Sequence, residues 1–244
     1  MAKLAVGEIW QATLAALKAQ MGAIIAIAAP FSLLVDMVLG LYGPAQPMTV
    51  AGFTPRTMLI LVIIPGLIGA IAQLAVAHMI ALPAAPPRQA LGAALATWPR
   101  YIGAMLALAL PAGLIFGSLL AMLPGPTGVV VLVIPVLYMT VRLFPLIPII
   151  VLERPSPVAA LRRAWGLTRG HVGSLAMFLA LVLLFLFGAS FLAQGVGAAI
   201  GSVFTLMGVK AVGGFGAALV TAVVAMLVSI GTSAASTIIY LRLR

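Results

Sequence analysis

Cysteine is absent from this chain, and acidic residues number only three: Glu8, Asp36 and Glu153. The first absence excludes a disulfide framework and any thiolate metal site. The second leaves no close carboxylate pair for general acid–base work. Asp36 falls in the outer part of the first apolar stretch and Glu153 at the opposite face of the membrane, where the fourth stretch ends. Histidine is just as scarce, with His78 and His171 alone, and two imidazoles are too few for a secure zinc site. The glycine-rich runs Gly195–Gly201 and Gly213–Gly216 lack the strand and the lysine of a phosphate loop. This inventory offers no catalytic residues, no metal site and no cofactor, and a non-enzymatic protein is expected.

What the chain has in abundance is apolar length. Hydrophobic residues make up 64% of it, charged residues only 7%, and the mean hydropathy is +1.30. A soluble chain of 244 residues could not bury that much apolar surface. Six stretches, near Met21–Tyr42, Thr57–Leu82, Ile102–Leu123, Gly128–Leu152, His171–Ile200 and Gly213–Tyr240, each reach the length needed to cross about 30 Å of hydrocarbon. The basic residues fall on alternate sides of them. Lys3, Lys18, Arg88, Arg100, Arg154, Arg162, Arg163, Arg169, Arg242 and Arg244 lie on one side, against Arg56 and Lys210 on the other. The Lys/Arg-rich side is cytoplasmic, so both termini are expected inside, with loops near Gly43–Arg56, Pro124–Thr127 and Ser202–Val212 outside. The formal net charge of +10 is then topology and headgroup attraction, and no nucleic-acid partner is expected. Lys3, Glu8, Trp10 and Gln11 do not read as a cleavable signal. No soluble segment exceeds about twenty residues, too few for a separate globular unit, so residues 1–244 are expected to form a single integral membrane domain.

Each pair of spans follows a short amphipathic segment on the cytoplasmic side. Val6, Trp10, Thr13, Leu14, Leu17 and Met21 share one helical face in the first. Leu91, Leu95 and Trp98 do so in the second, after Pro86-Pro87. Val158, Leu161, Trp165 and Thr168 make the third stripe, with Ser156 placed as N-cap and Pro157 as first helical residue. Basic polar faces with a Trp in each stripe suit helices lying in the membrane interface. The second and third units align without gaps at a shift of seventy. Ala90-Leu91 meets Ala160-Leu161, Ala94 meets Ala164, and Tyr101-Ile102-Gly103-Ala104 meets His171-Val172-Gly173-Ser174. The expected fold is an all-α polytopic membrane bundle of six transmembrane helices with three interfacial helices, built as a threefold helix-hairpin repeat.

The segment Arg142-Leu-Phe-Pro-Leu-Ile-Pro-Ile-Ile-Val-Leu-Glu153, then Ala159-Ala-Leu-Arg-Arg-Ala-Trp-Gly-Leu-Thr-Arg-Gly170, resembles a family of bacterial six-span proteins. These are the membrane domain fused to some glycerophosphodiester phosphodiesterases, and stand-alone envelope proteins of the YciC type. Gly7-Glu8-Ile9-Trp10 and Tyr240-Leu241-Arg242 resemble the same family. The resemblance implies a bacterial inner-membrane protein. The partners expected are membrane lipids, through anionic headgroups at the basic cytoplasmic face, and other envelope proteins. The phosphodiesterase activity belongs to a separate soluble domain that these residues do not contain, so it does not carry over.

Four polar residues of the spans call for a reason. Arg142 and Asp36 sit at membrane depth, where a charge costs about 2.5–3.5 kcal/mol on insertion scales and faces a partner or a wet cavity. Arg142, counted to mid-membrane, is expected to pair with Asp36 or to cap carbonyls freed by Pro145 and Pro148. The functional alternative for both is a lipid-phosphate or substrate contact in a lateral cavity. His78 is expected to make an interhelical hydrogen bond, and could meet Glu153 if the second and fourth spans pack together. His171 is expected as an interface anchor, and Arg162, Arg163 and Arg169 as contacts to anionic lipid headgroups. Gly113-x-x-x-Gly117, Gly197-x-x-x-Gly201 and the small, weakly polar run Ser229–Ser236 are expected to close the bundle. A membrane scaffold or lipid-interacting module is the favoured function. A transporter for a lipid or amphipathic solute, with Arg142 and Asp36 in its pathway, is the alternative.

Overall fold

The computed structural model describes residues 6–42, 59–123, 126–207 and 210–244. Lys3, Arg56 and the loop expected at Gly43–Arg56 lie outside them. Every regular element described is helical. In chain order these are α1 (Val6–Ala28), a π-helical turn (Ala29–Leu33), α2 (Leu34–Tyr42), a second π-helical turn (Leu59–Ile63), α3 (Ile64–Ala81), α4 (Pro87–Met122), α5 (Pro126–Leu143), α6 (Leu146–Leu152), α7 (Pro157–Leu167), α8 (Val172–Leu206) and α9 (Lys210–Leu243). Six stretches are long and apolar enough to cross a membrane: Gly7–Leu39, Ile64–Ala81, Pro87–Leu119, Val130–Leu152, Val172–Leu206 and Gly214–Leu243. The chain is therefore an all-α, multi-pass membrane bundle. Helices are the form such a sequence must take in hydrocarbon, because only they satisfy every backbone N–H and C=O within one segment.

Helices α9 and α3 form the centre. Helix α9 packs on α8, α3, α2, α1 and α6, and α3 adds α4 and α6. From Ala70 to Ile80 almost every α3 side chain is buried. The small-residue run of α9 lies inside as expected, with Ser233, Ala234, Ala235, Ser236 and Thr237 all buried. Large apolar side chains point the other way, with Leu114, Ile134 and Phe191 among the most exposed. Lipid is as apolar as leucine, so small residues that let backbones approach belong inside and bulky ones can face the acyl chains. Gly197 follows this rule: a Cβ there would sit 3.3 Å from Ala217 Cα. Gly113 and Gly117 do not close the bundle, since a Cβ on either would meet nothing within 4 Å.

Two of the three expected interfacial helices are not separate. The first amphipathic segment runs into the first span through a kink at Gln20 (φ −132°, ψ 18°), and the second continues through Pro99 into the third span as one helix of 36 residues. Only α7 stands alone. The second and third units nevertheless begin alike. Pro86 (φ −67°, ψ 150°) and Ser156 (φ −65°, ψ 155°) are both extended N-caps followed by proline, although the Ser156 hydroxyl makes no capping bond. Ala90 and Ala94 are fully buried, as are Ala160 and Ala164. They end differently because Ala96 and Arg100 in the second unit correspond to Gly166 and Gly170 in the third. Gly170 takes φ +82° in the turn between α7 and α8, a left-handed conformation that a side chain disfavours.

The fourth span is broken at Phe144–Pro145, between α5 and α6. Residue 148 would in an unbroken helix donate its N–H to the Phe144 carbonyl, and Pro148 has none. Ser236 supplies the missing donor from α9: its Oγ lies 2.6 Å from Phe144 O. The freed carbonyl expected from the proline pair is therefore present, but a serine takes it and Arg142 does not.

Candidate functional site

Arg142 lies in the last turn of α5 and reaches toward α7, away from Asp36. Its Nε and Nη2 donate to Tyr138 Oη at 3.0 and 2.8 Å. Its Nη1 donates to Trp165 O at 3.4 Å and Thr168 Oγ1 at 3.3 Å. The guanidinium carbon also sits 5.2 Å from the Tyr138 ring centre and 5.0 Å from that of Trp165, while those two rings meet edge to face at 5.8 Å. Trp165 and Thr168 belong to the last turn of α7 and its C-cap, where carbonyls lack helical partners and a cation is favoured. Arg142 thus clamps the free-standing amphipathic helix to the end of α5, at the break in the fourth span.

Helix α7 turns its small face inward, burying Ala160, Ala164 and Thr168, and leaves Val158 and Trp165 exposed. Arg162 and Arg169 are exposed beside them. Arg163 is drawn instead to Glu153, with Nε 3.3 Å from Oε2. Glu153 also accepts from Tyr240 Oη at 2.7 Å, and that tyrosine is fully buried. One carboxylate therefore joins the end of α6 to α7 and α9. At the same end, Arg242 pairs with Glu8 at 2.9 Å, tying the last helix to the first.

His78 is 6% exposed, and neither ring nitrogen finds a hydrogen-bond partner among the described residues. Helices α3 and α6 do pack together, yet the partners of Glu153 are Tyr240 and Arg163, so no His78–Glu153 bond forms. His171 precedes α8, its Nδ1 3.3 Å from Arg169 O.

Asp36 opens into a cavity of about 370 Å³ between α2, both π-helical turns, α3 and α9, toward the end of the bundle away from α7. Ser32, Gln73 and Ser229 share its wall. Gln73 Nε2 donates to Ser229 Oγ at 3.2 Å, and Ser233 Oγ donates to Gln73 O at 2.7 Å. None of the Arg142 partners lines this cavity, so the two intramembrane charges occupy separate sites.

No protein-family model, curated protein or solved structure matches the chain.

Several residues that build these sites were not singled out as polar-site candidates from sequence. Tyr138 stands four residues before Arg142, a spacing that puts both on one helical face, and that signal was readable. Tyr240, Gln73 and Ser236 are brought in by helix packing across 87, 156 and 92 residues of separation, which no local pattern encodes.

Proposed function

We propose that the chain is a non-enzymatic membrane scaffold or lipid-interacting module of the bacterial inner membrane, belonging to the six-span family it resembles, with both termini cytoplasmic. Clamping of α7 by Arg142 is the observation that carries this reading. It holds Val158 and Trp165 outward with Arg162 and Arg169 alongside, the pattern of a helix seated at a headgroup boundary. Each exposed arginine near an anionic leaflet contributes about 1 kcal/mol. Glu8 and Glu153 are engaged in holding helices together, which supports a role without catalysis. Envelope proteins are the protein partners expected of such a module.

The second reading is a transporter whose pathway holds Arg142 and Asp36, and the Asp36 cavity is the observation in its favour. Against it stands the packed core where α3 meets α6, in which Leu74, Ala75, Ile149 and Ile150 are buried. Native mass spectrometry of the inserted protein carrying Arg162→Gln, Arg163→Gln and Arg169→Gln tests the lipid reading. The parent should retain anionic lipid and the variant should lose most of it. Equal retention would overturn the lipid-contact reading, leaving Arg162 and Arg169 with topology and Arg163 with topology and its pairing to Glu153.

A further inference from the structure

Of four cavities lined by described residues, three have almost wholly apolar walls: two beside Trp10 and Phe178, and one between α4 and α5. The fourth, at Asp36, differs in chemistry. A carboxylate, a carboxamide and two hydroxyls converge on it from three separate segments: Ser32 and Asp36 from the first π-helical turn and α2, Gln73 from α3, and Ser229 from α9. Phe31 and Leu61, one from each π-helical turn, complete the wall. π-helical turns inside spans recur at functional sites because the extra residue re-aims side chains and loosens the backbone ladder. Two of them meeting at this polar cavity is an independent reason to read it as built for a ligand. Gly66 also lines the cavity, and a Cβ there would meet nothing within 4 Å.

We propose that this cavity binds the ammonium group of a primary amine, with Asp36 as its counter-ion. A carboxylate at membrane depth faces a partner or a wet cavity, and no cation among the described residues lies within pairing distance of Asp36. An anion is excluded by like charge. A divalent metal ion asks for about six or more oxygen ligands and usually several carboxylates, which one Asp and three neutral side chains do not supply. A primary ammonium carries three N–H donors, which one carboxylate and two neutral oxygens satisfy. The Gln73 amide is oriented by its donation to Ser229, leaving its carbonyl oxygen as an acceptor. At about 370 Å³ the space exceeds an ammonium group, and Phe31, Leu39 and Leu61 suit the carbon chain attached to it. The amine belongs either to a free amphipathic solute or to the headgroup of an aminophospholipid.

The test uses the full chain in nanodiscs of phosphatidylcholine, with n-hexylammonium as the probe and n-hexanol as the uncharged control. Hexylammonium should raise the thermal midpoint in a saturable way, and hexanol should not. Asp36→Asn should weaken the apparent affinity about tenfold or more, as expected for loss of a charge-assisted hydrogen bond. Should Asp36→Asn fail to fold, Gly66→Leu fills the cavity while the carboxylate stays, and it should abolish the response. Replacing phosphatidylcholine with phosphatidylethanolamine separates the sources: a raised midpoint that hexylammonium no longer increases identifies the lipid headgroup, and an undiminished hexylammonium response identifies a free amine. No saturable response in the parent, equal responses to hexylammonium and hexanol, or an unchanged response in both variants would each overturn the proposal.

Discussion

Ser236 donates its hydroxyl to the carbonyl oxygen of Phe144 across 2.6 Å, repairing from α9 the hydrogen bond that Pro148 cannot make. The broken fourth span is tolerable in hydrocarbon only because the neighbouring helix supplies that donor. Ser236→Ala should leave a part-buried carbonyl unpaired and lower stability by about 1–3 kcal/mol. Its readout is the thermal midpoint in mild detergent, and an unchanged midpoint would show that the break needs no partner.

Arg142 is expected to act through protein contacts. Arg142→Ala removes four hydrogen bonds and two cation–π contacts, for a loss of about 2–4 kcal/mol. Arg142→Lys should recover only part of it, because an ammonium lacks the planar fork that reaches Tyr138 and Trp165 together. Accessibility of a cysteine placed at the buried Ala160 should rise in Arg142→Ala as α7 loosens. A variant that melts like the parent yet loses cellular function would move Arg142 to a ligand-binding role.

The two Gly-x-x-x-Gly pairs should respond oppositely to added bulk. Gly197→Leu drives a side chain into Ala217, and overpacking of this kind costs about 1–3 kcal/mol. Gly113→Leu enters open space and should leave the thermal midpoint within about 0.5 kcal/mol of the parent. A comparable drop for Gly113→Leu would show that this face of α4 is covered in the membrane.

Topology is open to direct measurement because the chain has no cysteine of its own. Single cysteines at Ala85 or Ser156 should resist a membrane-impermeant maleimide in intact cells, and one at Gln46 should react. The reverse pattern would invert the orientation inferred from the Lys/Arg distribution.

The chain order of hydrophobic and basic residues was sufficient for the six spans, since both hydrocarbon thickness and helical rise are constants that sequence can be measured against. It also placed Ser156 and Pro157 at the start of α7, because proline geometry is local. The inward position of the Ser229–Ser236 run was legible for the same reason that lipid faces accept bulk and helix contacts demand small residues. Tertiary structure alone decided where the intramembrane charges go. Counting along the fourth span set Arg142 near mid-membrane, but its long side chain bonds Tyr138 on its own helix and reaches on to acceptors at the end of α7. Asp36, Gln73 and Ser229 come from three segments far apart in the chain, and only helix packing puts them around one cavity. Spans are one-dimensional properties of a chain in a slab of hydrocarbon, whereas a polar site within the slab exists only once helices have chosen their neighbours.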